Sequence, residues 1–246
     1  METAALARQN PHFFLCARIE VFCADIHQKG VPVENFVDLF WSFRSPYSYL
    51  AMPGALALEK KFLVTVRFRP VLPLAVRDAA FFGPDNLKRA KYIALDAPRR
   101  AEMLGIPFAW PSPDPIVQDL KTYCIAQEQP YIYRLTYLGV EAQLRGRGLA
   151  FADEVSRLLF GGTRNWHEGG HMAQAARRAG LNLEEMELGI ADAAACQAIV
   201  DENQVALADA RHWGVPTFAF EGEPFFGEDR IETLAWRLTQ RGLVRA

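Results

Sequence analysis

The feature that most constrains the fold is a change of sequence period around a short serine-containing turn. Residues 36–43, FVDLFWSF, form an apolar run that is too short for a helix and predicts a buried strand. The strand is expected to end at the polar turn around Ser45, and Pro46 suits the first helical position. We expect this helix to run to about Lys61, and TVRFRPVLPL then predicts a second strand. Strand, helix and strand in this order predict parallel strands joined by a right-handed crossover.

The rest of the chain changes period twice more. From residue 75 to about residue 210 apolar residues recur at helical spacing, including the stretch QDLKTYCIAQEQPYIYRLTYLGVEAQLRG at 118–146. The proline-rich segment IPFAWPSPDP between these stretches predicts a loop. PTFAFEG and EPFFG predict a hairpin around Glu221 to Glu223, and IETLAWRLTQRG predicts a closing amphipathic helix.

This order of elements predicts an α/β protein with the layout of a thioredoxin-like domain, βαβ followed by ββα. A large all-helical insertion is expected to separate the two parts. We therefore expect an N-terminal extension at 1–35, a thioredoxin-like domain at 36–74 and 205–246, and a helical insertion domain at 75–204.

Composition narrows the class of function. The chain has 246 residues, half of them hydrophobic, and its 27 basic and 29 acidic residues give a net charge of −2. This balance favours neither a nucleic-acid nor a membrane-surface partner, and indicates an enzyme or a small-molecule binder. The four cysteines form no C-x-x-C pair, and the run HFFLCARIEVFCA is broken by Arg18 and Glu20. We expect a cytoplasmic protein with free thiols and no membrane span.

The serine turn admits two interpretations. Ser45-Pro46-Tyr47-Ser48 stands where a disulfide-exchanging thioredoxin has C-x-x-C, so thiolate exchange is not expected here. As a helix N-cap, Ser45 would contribute ~1 kcal/mol. The same hydroxyl, with the N–H groups of the helix N-terminus, could instead stabilise an anion such as the thiolate of a ligand.

Two further motifs fit the thioredoxin layout. In that layout the proline of GVPTF, Pro216, is cis and faces the start of the first helix, so Val215 could pair its backbone with an extended peptide. In GEDR, Glu228 and Asp229 suit the entrance of the last helix as dipole partners. The same acidic pair could also hold an amino group. Alone, GPDN at 83–86 predicts only a turn.

Together, S-P-Y-S-Y-L, G-P-x-N, G-V-P-T and G-x-D-R occur in the order seen in 2-hydroxychromene-2-carboxylate isomerases. Residues 36–242 resemble these enzymes, which belong with the kappa-class glutathione transferases in the DsbA-like branch of the thioredoxin superfamily. The segment KYIALDAPRRAEMLGIPFAWP is also similar to a helix and proline-rich loop of that family.

The resemblance implies a bound glutathione and names the residues that would hold it. By position, Ser45 matches the serine that hydrogen-bonds the sulfur, and Val215 with cis Pro216 matches the pair at the cysteinyl backbone. Asn86 matches an asparagine near glutathione. The residues that match those at the γ-glutamyl end are Glu228 and Asp229.

The resemblance also implies a reaction. The thiolate would add reversibly to a small electrophilic, unsaturated substrate, as in aromatic catabolism, and isomerise it. Release of the adduct would make the chain a kappa-like transferase, and a non-catalytic glutathione- or peptide-binding protein is a third alternative. Arg44 could hold a substrate carboxylate or extend to solvent, and Tyr47, Tyr92 and Phe82 could line a pocket or belong to the core. A homodimer is expected by resemblance alone.

Two sequence patterns suggest a metal site, but we do not expect one at either. HEGGH at 167–171 satisfies the H-E-x-x-H pattern of zinc proteases, but two glycines disfavour the helix that the pattern needs. A loop leading into a helix is the favoured interpretation. The second pattern consists of His12, Cys16, Cys23 and His27, whose spacing is not that of a standard zinc site.

Overall fold

A four-stranded mixed sheet lies at the centre of the fold. The computed structural model describes residues 34–78, 87–119 and 124–246, and residues 35–246 form one compact unit. Strands β1 (Phe36–Trp41) and β2 (Thr65–Pro70) run parallel, as predicted. Strands β3 (Thr217–Phe220) and β4 (Glu223–Phe226) are antiparallel and complete the order β2-β1-β3-β4. The α/β class is confirmed.

Strand β1 is fully buried on one face and partly buried on the other, which explains why its sequence is a nearly continuous apolar run. On one face Val37, Leu39 and Trp41 join the main core. On the other face Phe40 packs with Leu207 in a separate small cluster.

Nine α-helices surround the sheet in the described residues. They are α1 (Pro46–Lys61), α2 (Leu74–Arg77), α3 (Leu87–Leu104), α4 (Ile132–Leu144), α5 (Gly148–Phe160), α6 (His171–Arg178), α7 (Leu183–Gly189), α8 (Ala193–Asp209) and α9 (Ile231–Gln240). A 3-10 turn, Glu228–Arg230, precedes α9. None of these helices is both long and apolar enough to cross a membrane. The predicted division at 204/205 falls inside α8, and the division into two domains stays a prediction.

The helix expected across 118–146 is wrong at residues 118–119 and 124–131, which are the described residues before Ile132. Helix α4 begins only at Ile132, and Gln118 forms an isolated bridge with Ile125. The Gln129 side chain accepts from the Val117 N–H at 2.8 Å and donates to the Val117 carbonyl at 2.8 Å. Pro130, which has no N–H to donate, follows directly. Side-chain bonds therefore hold an irregular segment where the apolar spacing alone indicated helix.

Two close contacts position the segments around the serine turn. Phe43 is buried beneath the turn, with its ring centroid 6.2 Å from that of Phe68 and 6.0 Å from that of Phe151. On α1, a Cβ at Gly54 would lie 2.5 Å from Cδ1 of Ile231. The missing side chain lets the start of α9, and the acidic turn before it, approach α1.

The predicted hairpin between β3 and β4 is confirmed. Its two central residues both have positive φ, 49° at Glu221 and 79° at Gly222, as a type I′ turn requires.

Candidate functional site

Ser45 is the N-cap of α1 and also reaches across to another loop. Its Oγ accepts a hydrogen bond from the Ser48 N–H at 3.1 Å and donates to the Val215 carbonyl at 3.2 Å. The first turn of α1 carries no acidic residue, whereas the first turn of α7 carries Glu184 and Glu185. The positive end of the α1 dipole therefore has no carboxylate of its own helix beside it.

The Val215–Pro216 peptide is cis, as predicted, and brings two predicted regions together. The Val215 carbonyl accepts the hydrogen bond from Ser45, and the Pro216 carbonyl accepts one from the Gly227 N–H at 2.9 Å. Gly227 directly precedes Glu228. The serine turn, the cis-proline and the acidic turn are thus linked through consecutive hydrogen bonds.

A cavity of about 650 Å³ opens beside this junction, and its walls are mostly apolar. Five of the predicted site residues line it: Arg44, Ser45, Tyr47, Tyr92 and Val215. Pro216, Glu228 and Asp229 are not among its lining residues, and Asn86 and Phe82 lie outside the described part of the chain. The volume is in the usual range for a small-molecule site, ~300–1,000 Å³.

One wall of the cavity is held by a polar cluster around Asp96, which the sequence analysis missed. Its carboxylate accepts hydrogen bonds from the hydroxyls of Tyr47 at 2.6 Å and Tyr92 at 3.3 Å, and from Arg99 Nε at 2.6 Å. The signal was present in KYIALDAPRR, because Tyr92, Asp96 and Arg99 share one helical face.

The protonation states in this cluster are fixed by its geometry. Burial and the hydrogen bond to Asp96 raise the pKa of Tyr47 well above its ordinary value. Burial acts to raise the pKa of Asp96, but hydrogen bonds from Tyr47 and Arg99 outweigh it and lower that pKa. Tyr47 is therefore a neutral donor and Asp96 an ionised acceptor.

Arg44 forms a fork-to-fork ion pair with Asp114. Its Nε and Nη2 atoms each lie 2.9 Å from one carboxylate oxygen. Asp114 also accepts from the Ile116 N–H at 3.0 Å. The pair connects the serine turn to the proline-rich loop that carries Trp110, another cavity residue. A contact between Arg44 and a substrate carboxylate stays a prediction, and such a carboxylate would compete with Asp114.

The two residues of the acidic turn have different surroundings. Arg100 donates from Nε and Nη2 to the two carboxylate oxygens of Glu228, at 2.7 and 2.9 Å, and the Glu228 side chain is only 8% exposed. The Asp229 side chain is 53% exposed and lies 3.6 Å from Arg230. Asp229 is thus accessible to a ligand, whereas Glu228 is occupied by an internal bond.

Two further arginines line the cavity and were missed from the sequence. The Arg89 guanidinium lies 4.7 Å from the ring centroid of Trp213. Arg77 donates to the carbonyls of Leu72 at 2.7 Å and Trp213 at 2.9 Å, and burial lowers its pKa. No sequence motif marks these residues, because α2, α3 and the Trp213 loop meet only in the fold.

The H-E-x-x-H pattern does not form the helix of a zinc protease. Helix α6 begins at His171, and the preceding Gly169 and Gly170 have φ of 60° and 79°. The two histidines therefore do not share a helical face, and the loop interpretation is confirmed. No group of three metal-ligating side chains occurs among the described residues. The pattern of His12, Cys16, Cys23 and His27 lies outside them.

Comparisons with known proteins agree with this fold. A sequence profile of the DsbA-like thioredoxin domain matches residues 36–239. The 2-hydroxychromene-2-carboxylate isomerase of Pseudomonas putida is 27% identical over 205 residues, which cover 79% of this chain and 90% of that protein.

Solved structures show the same architecture. A 2-hydroxychromene-2-carboxylate isomerase superposes with a TM-score of 0.63 at 22% identity, over 83% of this chain and 95% of that one. The cytosolic disulfide reductase DsbM from Pseudomonas aeruginosa, also solved with GSH, superposes with a TM-score of 0.54 at 18% identity, over 83% and 99%.

Proposed function

The chain belongs to the DsbA-like thioredoxin domain family, and from this premise we propose that it is a glutathione-dependent isomerase of the 2-hydroxychromene-2-carboxylate isomerase type. The observation that carries the proposal is the Ser45 hydroxyl, which lies at the N-terminus of α1 and 3.2 Å from the Val215 carbonyl. With Ser45 and Ser48 in the turn, the chain offers no thiolate there, and the site suits a thiolate brought by a ligand.

Glutathione, when bound, would supply a thiolate that adds reversibly to an electrophilic carbon of an unsaturated substrate. The Ser45 hydroxyl can rotate away from the Val215 carbonyl to donate to an anion, because hydroxyl hydrogens are free to turn. A charge-assisted hydrogen bond contributes ~1.5–3 kcal/mol and the helix dipole ~0.3–1 kcal/mol. Lowering a thiol pKa by one unit requires ~1.4 kcal/mol. Ser45 and α1 can therefore favour the ionised thiol.

The residues around Ser45 also fit the rest of a tripeptide. The Val215 backbone lines the cavity and would pair with an extended ligand as an added strand does. We assign the ligand's amino group to Asp229 rather than Glu228, because Glu228 already accepts two hydrogen bonds from Arg100. A part for Asn86 stays a prediction.

The lining of the cavity suits a flat, anionic substrate. Trp110, Trp213 and Phe226 provide aromatic walls, and Arg77 and Arg89 provide positive charge. This combination is compatible with an aromatic carboxylate such as the one in the name of the P. putida relative. We place the reaction in the cytoplasm, where glutathione is kept reduced. A homodimer stays a prediction.

The first test is calorimetric titration of the protein with reduced glutathione. We expect the Asp229→Ala variant to abolish or severely weaken binding. The Ser45→Ala variant should bind, but with a raised thiol pKa in the complex, measured by thiolate absorbance against pH. Ser48→Ala is the matched control, because its buried hydroxyl has no hydrogen-bond partner among the described residues and Ser48 does not line the cavity.

Absence of binding at millimolar glutathione would overturn the cofactor assignment. Equal thiol pKa values in the wild-type and Ser45→Ala complexes would overturn the part given to Ser45. An electrophilic substrate then separates the two reactions, because an isomerase regenerates free glutathione and a transferase consumes it.

A further inference from the structure

The loop that leads into the cis-proline is held by His212. Nδ1 of His212 accepts a hydrogen bond from the Gly214 N–H at 3.0 Å. Because a backbone N–H can only donate, Nδ1 carries no proton, and the proton of the neutral ring is on Nε2. The Thr217 hydroxyl donates to the Gly214 carbonyl at 2.8 Å. Both polar groups of Gly214 are therefore held by side chains.

The imidazole ring is itself fixed by aromatic contacts. Its centroid lies 4.1 Å from that of Phe226, with 28° between the planes, and 5.3 Å from that of Trp213. Phe226 also blocks the space beside Gly214, where a Cβ would lie 2.5 Å from its Cε2 atom. The loop can thus neither carry a side chain at Gly214 nor move toward Phe226 without a clash.

This arrangement matters because the next residue is Val215. Gly214 and Val215 both line the cavity, and the Val215 carbonyl is the group that accepts from Ser45. The apolar Val215 side chain has no hydrogen-bonding group with which to fix its own backbone. The direction of its peptide groups is therefore set by its neighbours, the Ser45 hydroxyl at its carbonyl and the bonds that hold Gly214 on its N-terminal side.

We propose that His212 is a positioning residue whose unprotonated Nδ1 fixes the Gly214–Val215 backbone and sets the direction in which Val215 presents its peptide groups to a ligand. The geometry is that of an Asx-turn, in which an asparagine side chain accepts from the N–H two residues on. Burial lowers the pKa of His212, which favours the neutral ring that this bond requires. The inference rests on the proposed function only where it takes glutathione as the ligand.

Two substitutions separate the acceptor from the ring. His212→Phe keeps an aromatic ring to stack on Phe226 and removes the acceptor. His212→Asn removes the ring and keeps an acceptor in the Asx geometry. The first measurement is hydrogen exchange of the Gly214 amide by NMR, and the second is calorimetric titration with reduced glutathione.

We expect His212→Phe to speed Gly214 exchange and weaken glutathione binding by about fivefold each, the effect of one net hydrogen bond. In His212→Asn both quantities should stay close to those of the wild type. The reverse order, with Asn impaired and Phe intact, would overturn the proposal, and so would unchanged exchange in both variants or a proton on Nδ1 of the wild-type ring. A wild type that does not bind glutathione would defeat the proposed function, while Gly214 exchange would still decide the part of His212.

Discussion

The two sides of the cavity are held by different kinds of contact. On the cis-proline side, two hydrogen bonds have backbone carbonyls as acceptors. The Val215 carbonyl accepts one from the Ser45 hydroxyl, and the Pro216 carbonyl accepts one from the Gly227 N–H. On the opposite side, α3 and the proline-rich loop are fastened by charged side chains. The accepting carbonyls persist whatever side chain their own residue carries, so the first side should be sensitive mainly at the side chains that hold the backbone, such as Ser45 and His212. The second side depends on a few particular residues.

The largest effect is expected on the charged side, from Arg100→Met. This change would leave the Glu228 carboxylate buried without its partner, which costs ~3 kcal/mol for a buried pair. The measurement is the free energy of unfolding from urea titration. Arg99→Met is the matched control, because that arginine is 53% exposed and its partner Asp96 keeps the hydrogen bonds from Tyr47 and Tyr92, so we expect a much smaller loss. Equal losses in the two variants would show that the burial of Glu228 is unimportant.

Gly214→Ala tests the cis-proline side by steric conflict. The added methyl group would meet the Phe226 ring at 2.5 Å, and overpacking of this kind costs ~1–3 kcal/mol. We also expect weaker glutathione binding, since Val215 must move with its neighbour. In the control Gly189→Ala the new methyl group meets the Glu141 carboxylate, the end of a flexible side chain. Urea unfolding that is equally affected by both changes would contradict the steric argument.

A smaller effect is expected from Tyr47→Phe, which removes one donor from the Asp96 cluster. The lost hydrogen bond is short, at 2.6 Å, and goes to a largely buried carboxylate, so we expect a loss of ~1–2 kcal/mol in the free energy of unfolding. Tyr92→Phe removes the longer 3.3 Å bond of a 55% exposed side chain and should cost less. A larger loss in the free energy of unfolding for Tyr92→Phe than for Tyr47→Phe would contradict this order.

The same contrast explains what the sequence could predict. The strands, the hairpin and the capped helix α1 depend on local patterns, so the sequence indicated them. The approach of Ser45 to Val215, 170 residues apart, was expected because the thioredoxin layout places these elements together. Contacts of backbone groups, such as the Val215 carbonyl, follow from the fold. A resemblance that predicts the fold therefore also predicts these contacts.

The charged side was missed for a physical reason. Arg44 meets Asp114 across 70 residues and Arg100 meets Glu228 across 128 residues. An arginine could pair with any of the many carboxylates of the chain, and no local sequence pattern indicates which one it contacts in the fold. The helix wrongly expected at residues 124–131 has a related cause, because the Gln129 side chain bonds to Val117, and this contact between two segments overrides a spacing that is typical of a helix.

Acid titration provides the last and smallest test of the comparison, because each side has a group whose lowered pKa affects stability at acid pH. His212 has a lowered pKa, so below its ordinary value of about 6.5 the unfolded chain takes up the proton first. The free energy of unfolding should begin to fall below about pH 6.5 and continue to fall down to the lowered pKa. Asp96 also has a lowered pKa, and its contribution, present above about pH 4, is lost at still lower pH.

The two windows can be separated by subtraction. His212→Phe should flatten the upper part of the pH dependence and leave the lower part, whereas Asp96→Asn should do the opposite. Urea unfolding at a series of pH values measures both. A His212→Phe variant that keeps the full loss of stability just below pH 6.5 would show that this loss does not come from His212. The cis-proline side would then contribute nothing to the acid sensitivity of the fold in this pH range, and only the Asp96 side would respond to acid.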